Sequence, residues 1–214
     1  MKAVIAGATG LTGNDLALEL LSKEEFTEII CLARTIPTEK QDGLTYIKTD
    51  FDMIHYTKFK ADAAFTCLGT TIKNAGSKEN FYRVDYHYNF MFAEACKKAG
   101  VERFVLMSAL GADSKSSIFY NRVKGELEEA IIDLNFKSLT IVRPSLLEGP
   151  RTESRPGELF LRKIMVLLNP LLIGNFRRYR SVDIDKVASA MAEAALLNHP
   201  GVRIIENEEI LTYS

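Results

Sequence analysis

The stretch from Lys2 to Leu21, KAVIAGATGLTGNDLALELL, constrains the chain more than any other. It opens with Ala3-Val4-Ile5-Ala6, an apolar run with no polar residue inside it. That is how a strand buried on both faces reads, as in a parallel sheet. Gly7, Gly10 and Gly13 follow, and Leu11, Leu16, Leu18, Leu20 and Leu21 then continue without Pro or further Gly, as in an amphipathic helix. Strand, glycine turn and helix together predict a phosphate-binding unit. Gly7 permits the tight turn, Gly10 lets backbone N–H groups approach a pyrophosphate, and Gly13 lets the helix lie close on the strand. The helix start adds unpaired N–H donors and the positive end of its dipole. A glycine turn serving packing alone is the competing reading, and the placement between a buried strand and a helix argues against it.

A chain of 214 residues is long enough for one domain, 1–214, with a three-layer α/β core and a small substrate-side elaboration at about 145–182. The formal net charge of −1 gives no pull toward nucleic acid or anionic membrane. Cys31, Cys67 and Cys96 sit in apolar runs at spacings that match no metal site, and read as reduced core residues. The N-terminus runs directly into the first strand, so no cleavable signal is expected. No apolar run of membrane-spanning length is free of charge or Pro. Cytoplasm is therefore expected by default.

The second strand, Glu28 to Ala33, ends at Arg34. The residue closing this strand in dinucleotide folds meets the adenosine ribose: an acid bonds the 2′-hydroxyl, an arginine accommodates a 2′-phosphate. Arg34 thus predicts NADP over NAD, against the plainer reading of a solvated strand end. Leu44 to Lys48 is a third strand, followed by Asp50 and Phe51, with Asp50 also readable as a helix N-cap. A fourth, Ala61 to Cys67, runs into Leu68-Gly69-Thr70-Thr71, where Gly69 lets backbone come close to the cofactor ribose. Cys67 is read as packing, since nothing nearby in sequence lowers its pKa. A long helix covers Ser77 to Lys98, with Phe81, Asp85, Tyr88, Phe92, Ala95 and Ala99 on one face and Tyr82, Tyr86 and Phe90 as a second stripe. That stripe suits core or a subunit contact, and oligomerisation stays open.

Arg103 to Met107 is the fifth strand and ends at Ser108. In the helix after it, Tyr120 and Lys124 stand one turn apart beside the stripe Val123, Leu127, Ala130, Ile131 and Leu134. Ser114, Ser116 and Ser117 are candidate caps for it. Ser138 to Val142 is the sixth strand, and Pro144 marks its exit, completing six parallel strands in a doubly wound α/β pattern. Leu159 to Phe176 is strongly apolar, but Arg162, Lys163 and Pro170 forbid a spanning helix. It suits a hydrophobic lid over a substrate, ordinary core or, less well, an interfacial membrane contact. A helix from Ser181-Val-Asp183-Ile-Asp185 and a last strand, Val202 to Ile205, close the chain.

With the three glycines, Ser108, Tyr120 and Lys124 in this order, the chain resembles the short-chain dehydrogenase/reductases. More narrowly it resembles the atypical branch called Tat-interacting-protein oxidoreductases, through Cys67-Leu-Gly-Thr-Thr71, Gly111 to Ser117, Val123-Lys-Gly-Glu126, Arg143-Pro144 and, most specifically, Glu153-Ser-Arg-Pro-Gly-Glu158. The resemblance covers nearly the whole chain. It implies a Rossmann-like domain that binds NADPH, with Thr9, Leu11, Thr12, Arg34, Asp50, Leu68, Gly69, Tyr120 and Lys124 at the cofactor, Phe51 and Pro144 beside them, and Asp50 on the adenine amino group. It implies little about substrate or protein partner.

The residue chemistry supports an enzyme independently. Bringing a free phenol from about 10 to about 7 takes roughly 4 kcal/mol, and one ammonium at about 4 Å in an effective dielectric of about 20 supplies roughly that much. Lys124 would thus make Tyr120 a usable proton donor or acceptor and bond the nicotinamide ribose, while Ser108 holds a substrate carbonyl. The expected activity is NADPH-dependent hydride transfer to or from a carbonyl or alcohol of a small, partly apolar molecule. Two alternatives share the fold. One is an NADPH-sensing interaction protein. The other is a nucleotide-sugar epimerase, for whose substrate domain the roughly 70 residues after Pro144 are too few.

Overall fold

A computed structural model describes residues 1–54, 60–149 and 174–214. Its strands are β1 (Lys2–Ala6), β2 (Glu28–Ala33), β3 (Leu44–Lys48), β4 (Ala63–Thr66), β5 (Arg103–Met107), β6 (Ser138–Arg143), β7 (Leu147–Glu148), β8 (Val182–Asp183) and β9 (Gly201–Glu206). Seven of them form a parallel sheet in the order β3-β2-β1-β4-β5-β6-β9. The order reverses at β1, so the crevice beyond the carboxyl ends of β1 and β4 is where such a sheet receives a ligand.

The helices are α1 (Leu11–Ser22), α2 (Ile72–Ala75), α3 (Lys78–Tyr82), α4 (Asn89–Lys98), α5 (Phe119–Ile132), α6 (Ile184–Leu197) and α7 (Asn207–Ile210). Alternation along the central strands feeds two cores. Ala3, Ile5 and Phe65 pack with Leu16, Leu20, Val187 and Met191 of α1 and α6. Val4, Ala6 and Ala64 pack on the other face with Phe92, Cys96, Leu127 and Ile131 of α4 and α5. Both faces are covered, which is why β1 and β4 carry no polar residue before Thr66 except the exposed Lys2. All three cysteines are free and buried. Burial pushes the Cys31 and Cys67 thiols up to about 12 and Cys96 well above its usual value.

Several expectations change. The sheet has seven parallel strands rather than six, because α6 crosses over and returns β9 alongside β6, from Ser138↔Gly201 to Arg143↔Glu206. A short run with Val202 and Ile204 half in solvent gives no sign in its own pattern of which strand it will join. The long helix is not one α-helix: between α3 and α4, residues Arg83–Tyr88 are π-helical. None of the three serines caps α5, whose N-cap is Ile118. Ser116 Oγ instead accepts from the Ile118 N–H, and Ser114 Oγ donates to Glu129. The expected lid lies outside the described residues up to 173; Gly174–Tyr179 form a short 3-10 helix with Phe176 exposed.

Candidate active site

One end of the candidate site begins where β1 stops. Gly7 has φ +91°, a region L side chains rarely adopt, and a Cβ there would stand 2.7 Å from the Cys67 carbonyl carbon. A Cβ at Gly13 would stand 2.1 Å from the Gly7 carbonyl oxygen, so the first turn of α1 lies directly on the loop. The Gly10 N–H donates to the Gly7 carbonyl at 2.9 Å, and Gly10 is the N-cap of α1 without a capping side chain. The next N–H groups therefore open onto the crevice, with no acidic side chain in the first turn to occupy them. The loop is a concave backbone surface, held close by the side chains that Gly7 and Gly13 lack.

The other end is made of side chains on α5 and just past β5. Ser108 follows β5, anchored by its N–H to the Val142 carbonyl at 2.8 Å. It is 4 % exposed, and its Oγ has no hydrogen-bond partner among the described residues. Tyr120 is half-buried, its ring 5.7 Å from that of Phe81. Lys124 is buried one turn on, with Nζ 2.8 Å from Asp85 Oδ1. Burial works against the Lys124 charge, but the Asp85 carboxylate, with the Tyr120 phenol and Glu128 behind it, more than offsets this and holds the ammonium above the usual lysine value. Gly125 lets α5 press on the preceding loop, since a Cβ there would meet Ser114 N at 2.1 Å. The Arg143 guanidinium fixes the far end of α5, bonding Glu128 on one side and Glu206 on the other.

The two ends share one cleft of about 920 Å³. Of the residues expected at a site, Thr9, Gly10, Leu11, Thr12, Gly69, Ser108, Tyr120, Lys124 and Pro144 line it. Gly7 and Gly13 lie beneath it as the bed of the loop. Arg34 is exposed just past β2, and Asp50 is exposed past β3, where its Oδ1 accepts from the Asp52 N–H at 3.0 Å. Phe51 is buried against Tyr88 and Leu68 packs toward the α4–α5 core, so neither side chain reaches the cleft. Asn14, Asp15, Thr70, Thr71, Asn74 and Asp85 also line it, and sequence reasoning missed them. For Asp85 a signal existed: a carboxylate in the middle of an apolar helical face. Among the described residues no cluster of ligating side chains suits a metal, and no helix is long and apolar enough to cross a membrane.

Residues 7–159 match a family model described as NAD(P)H-binding. The chain is 34 % identical to Protein HTATIP2 of Rattus norvegicus, over 97 % of its own length and 86 % of the relative's. It is 32 % identical to Protein FMP52, mitochondrial, of Eremothecium gossypii, over 99 % and 96 %. In three dimensions it resembles MoeE5 in complex with UDP-glucose and NAD, with a TM-score of 0.72 at 17 % identity, covering 98 % of this chain and 79 % of that one. A UDP-glucuronic acid 4-epimerase from Bacillus cereus in complex with NAD matches at 0.69 and 20 %, covering 96 % and 78 %. These solved structures share the fold.

One expectation is overturned here. Fungal relatives from Scheffersomyces stipitis, Debaryomyces hansenii, Eremothecium gossypii and Emericella nidulans are named mitochondrial proteins, which contradicts the default to cytoplasm. That default rested on cysteines read as reduced and on the absence of a cleavable signal or a spanning run. A compartment is read by receptors from short addresses, and bulk composition carries no trace of them.

Proposed function

Because the chain belongs to the NAD(P)H-binding family of atypical short-chain dehydrogenase/reductases that holds HTATIP2 and FMP52, we propose that it is an oxidoreductase moving hydride between NADPH and a carbonyl or alcohol carbon of a small molecule. The observation that carries this is the Ser108 hydroxyl, buried, without a partner among the described residues, and in one cleft with Tyr120 and Lys124. An unpaired buried hydroxyl costs about 1–3 kcal/mol, and a substrate oxygen bonding there removes that penalty.

The described residues fit the cofactor. The glycine cradle and the open N–H groups of α1 suit the pyrophosphate, with Thr9, Leu11 and Thr12 beside it. We assign Arg34 to a 2′-phosphate, Asp50 to the adenine, and the backbone of Phe51 and Leu68 to the adenosine half, which makes NADPH the preferred form. Gly69, Pro144 and Lys124 border the nicotinamide half. When bound, the cofactor supplies or accepts the hydride. Ser108 Oγ donates to the substrate oxygen and orients it, while Tyr120 gives that oxygen its proton in reduction and takes it back in oxidation. The Lys124 ammonium, one turn from Tyr120, favours the phenol's charged form during that exchange.

Tyr120→Phe tests this. It removes one hydroxyl and leaves the cradle, Arg34 and Lys124 in place. NADPH affinity should hold while carbonyl reduction falls by roughly two to four decades, measured on the best substrate from a panel of aldehydes, ketones and quinones. Undiminished turnover in Tyr120→Phe, or no turnover by the unmutated protein across the panel, would favour a protein that binds NADPH without chemistry.

A further inference from the structure

Asp85 has no part in the chemistry above, yet it is the most deeply buried charged side chain among the described residues, at 1 % exposure. Each of its carboxylate oxygens has its own donor. Oδ1 accepts from Lys124 Nζ at 2.8 Å and Oδ2 from the Thr70 backbone N–H at 2.8 Å. One carboxylate therefore joins α5 to the loop after β4. The backbone bearing it is shaped for this. Asp85 lies in the π-helical stretch, a form that concentrates at functional sites. Asn89, itself fully buried, ties that stretch down: its Nδ2 donates to the carbonyls of Val84 and Asp85 at 3.1 Å and of Leu68 at 3.2 Å. Its Oδ1 accepts from Thr66 Oγ1. Gly69 leaves one side of the ion pair open, since a Cβ there would come within 3.4 Å of Asp85 Oδ1 and 3.9 Å of Lys124 Nζ.

We propose that Asp85 is a positioning residue for cofactor binding, holding the Lys124 ammonium and the Gly69-Thr70 backbone as one preassembled edge with no net buried charge. This rests on Lys124 touching the nicotinamide half. Asp85 faces the ammonium from the π-helical stretch, Tyr120 and Glu128 from its own helix, and Cys67 from the end of β4. Asp85 is the group with which it shares a contact at ion-pair distance. Without that contact a fully buried lysine loses its proton several pH units below its usual value.

The experiment is NADPH binding, followed by nicotinamide fluorescence from pH 6 to 9, for the unmutated chain, Asp85→Asn, Lys124→Met and the double variant. Asn keeps an acceptor for Thr70 and removes the charge. Asp85→Asn should bind NADPH about one to two decades more weakly at pH 7, and more weakly still as pH rises, while the unmutated chain stays flat. If Asp85 acts through Lys124, the double variant should bind as Lys124→Met does. Native affinity with a flat pH profile in Asp85→Asn overturns the proposal, and so does a double variant about a decade weaker than Lys124→Met. Should either single variant fail to fold, each leaving one charge of the pair buried alone, the double variant, which buries neither, still decides: a loss of about one to two decades in NADPH affinity there supports the proposal and native affinity overturns it. Native affinity in Lys124→Met overturns both this proposal and the assignment of Lys124 beneath it. Turnover enters none of these measurements, so an inactive protein would sink the oxidoreductase reading alone.

Discussion

At the nucleotide end of the cleft the shape is set by the Cβ atoms that Gly7, Gly10 and Gly13 lack, whereas at the reaction end it is set by buried polar side chains, Ser108, Lys124 and Asp85. The first kind of site is a constraint on backbone and cannot be separated from the packing of α1 on β1. The second holds its groups through contacts that cross between elements distant in sequence, Asp85 to Lys124 above all. Function and stability should therefore move together at one end and apart at the other.

The largest expected effect separates them. Ser108→Ala removes the oxygen proposed to hold the substrate, so turnover should drop by roughly two to three decades. The same change deletes a buried hydroxyl that has no partner among the described residues, so the thermal midpoint should stay level or rise. A clear loss of stability in that variant would mean the hydroxyl is satisfied in the folded protein.

Next is Gly13→Ala, whose added carbon meets three atoms of the Gly7–Ala8 backbone, at 2.1 Å, 2.7 Å and 3.1 Å. Overpacking of this kind costs about 1–3 kcal/mol, and NADPH affinity should fall with it by up to about two decades. Gly10→Ala is the control for stability alone, since its Cβ would lie 3.3 Å from the Gly7 oxygen and needs only a small adjustment. Equal losses from the two substitutions in denaturant titrations would break the comparison.

Arg34→Asp should weaken NADPH binding without weakening NADH, since an acid at this place can bond a free 2′-hydroxyl. Losing a charge-assisted bond to a 2′-phosphate costs about 1.5–3 kcal/mol, so the NADPH preference over NADH should narrow by one to two decades. Equal affinity of the unmutated protein for both cofactors would remove Arg34 from the site.

The smallest effect is on the thiols. Cys31 and Cys67, pushed up to about 12 by burial, should not react with a thiol reagent at pH 8 until the chain unfolds. Unfolded thiols ionise near 9.0, so between there and about 12 the unfolded state holds fewer protons. Stability should accordingly fall as pH rises through that window. A fast-reacting thiol at pH 8 would point to local opening beside the cleft, where Cys67 lies.

The difference between the ends also explains what was legible beforehand. The glycine loop could be read because its cause is local: a strand, three glycines and a helix within twenty residues. Tyr120 and Lys124 could be placed on one face because helical spacing is local too. The Asp85 ion pair could not, since it depends on the π-helical turn and on two elements meeting in space. No periodicity announces an extra residue in a helical turn. The last strand could be read, but its place beside β6 could not, because pairing is a property of the sheet.

The short ribbon of β7 and β8 has a consequence of another kind. Leu147 pairs with Val182 and Glu148 with Asp183, and both legs are moored: the Ser145 N–H donates to Asn207 Oδ1, and Asn207 Nδ2 donates to the Arg180 carbonyl. One buried side chain thus holds both legs beside the cleft, so Asn207→Ala should release the two together, at a cost of about 1–3 kcal/mol for the polar groups left unpaired.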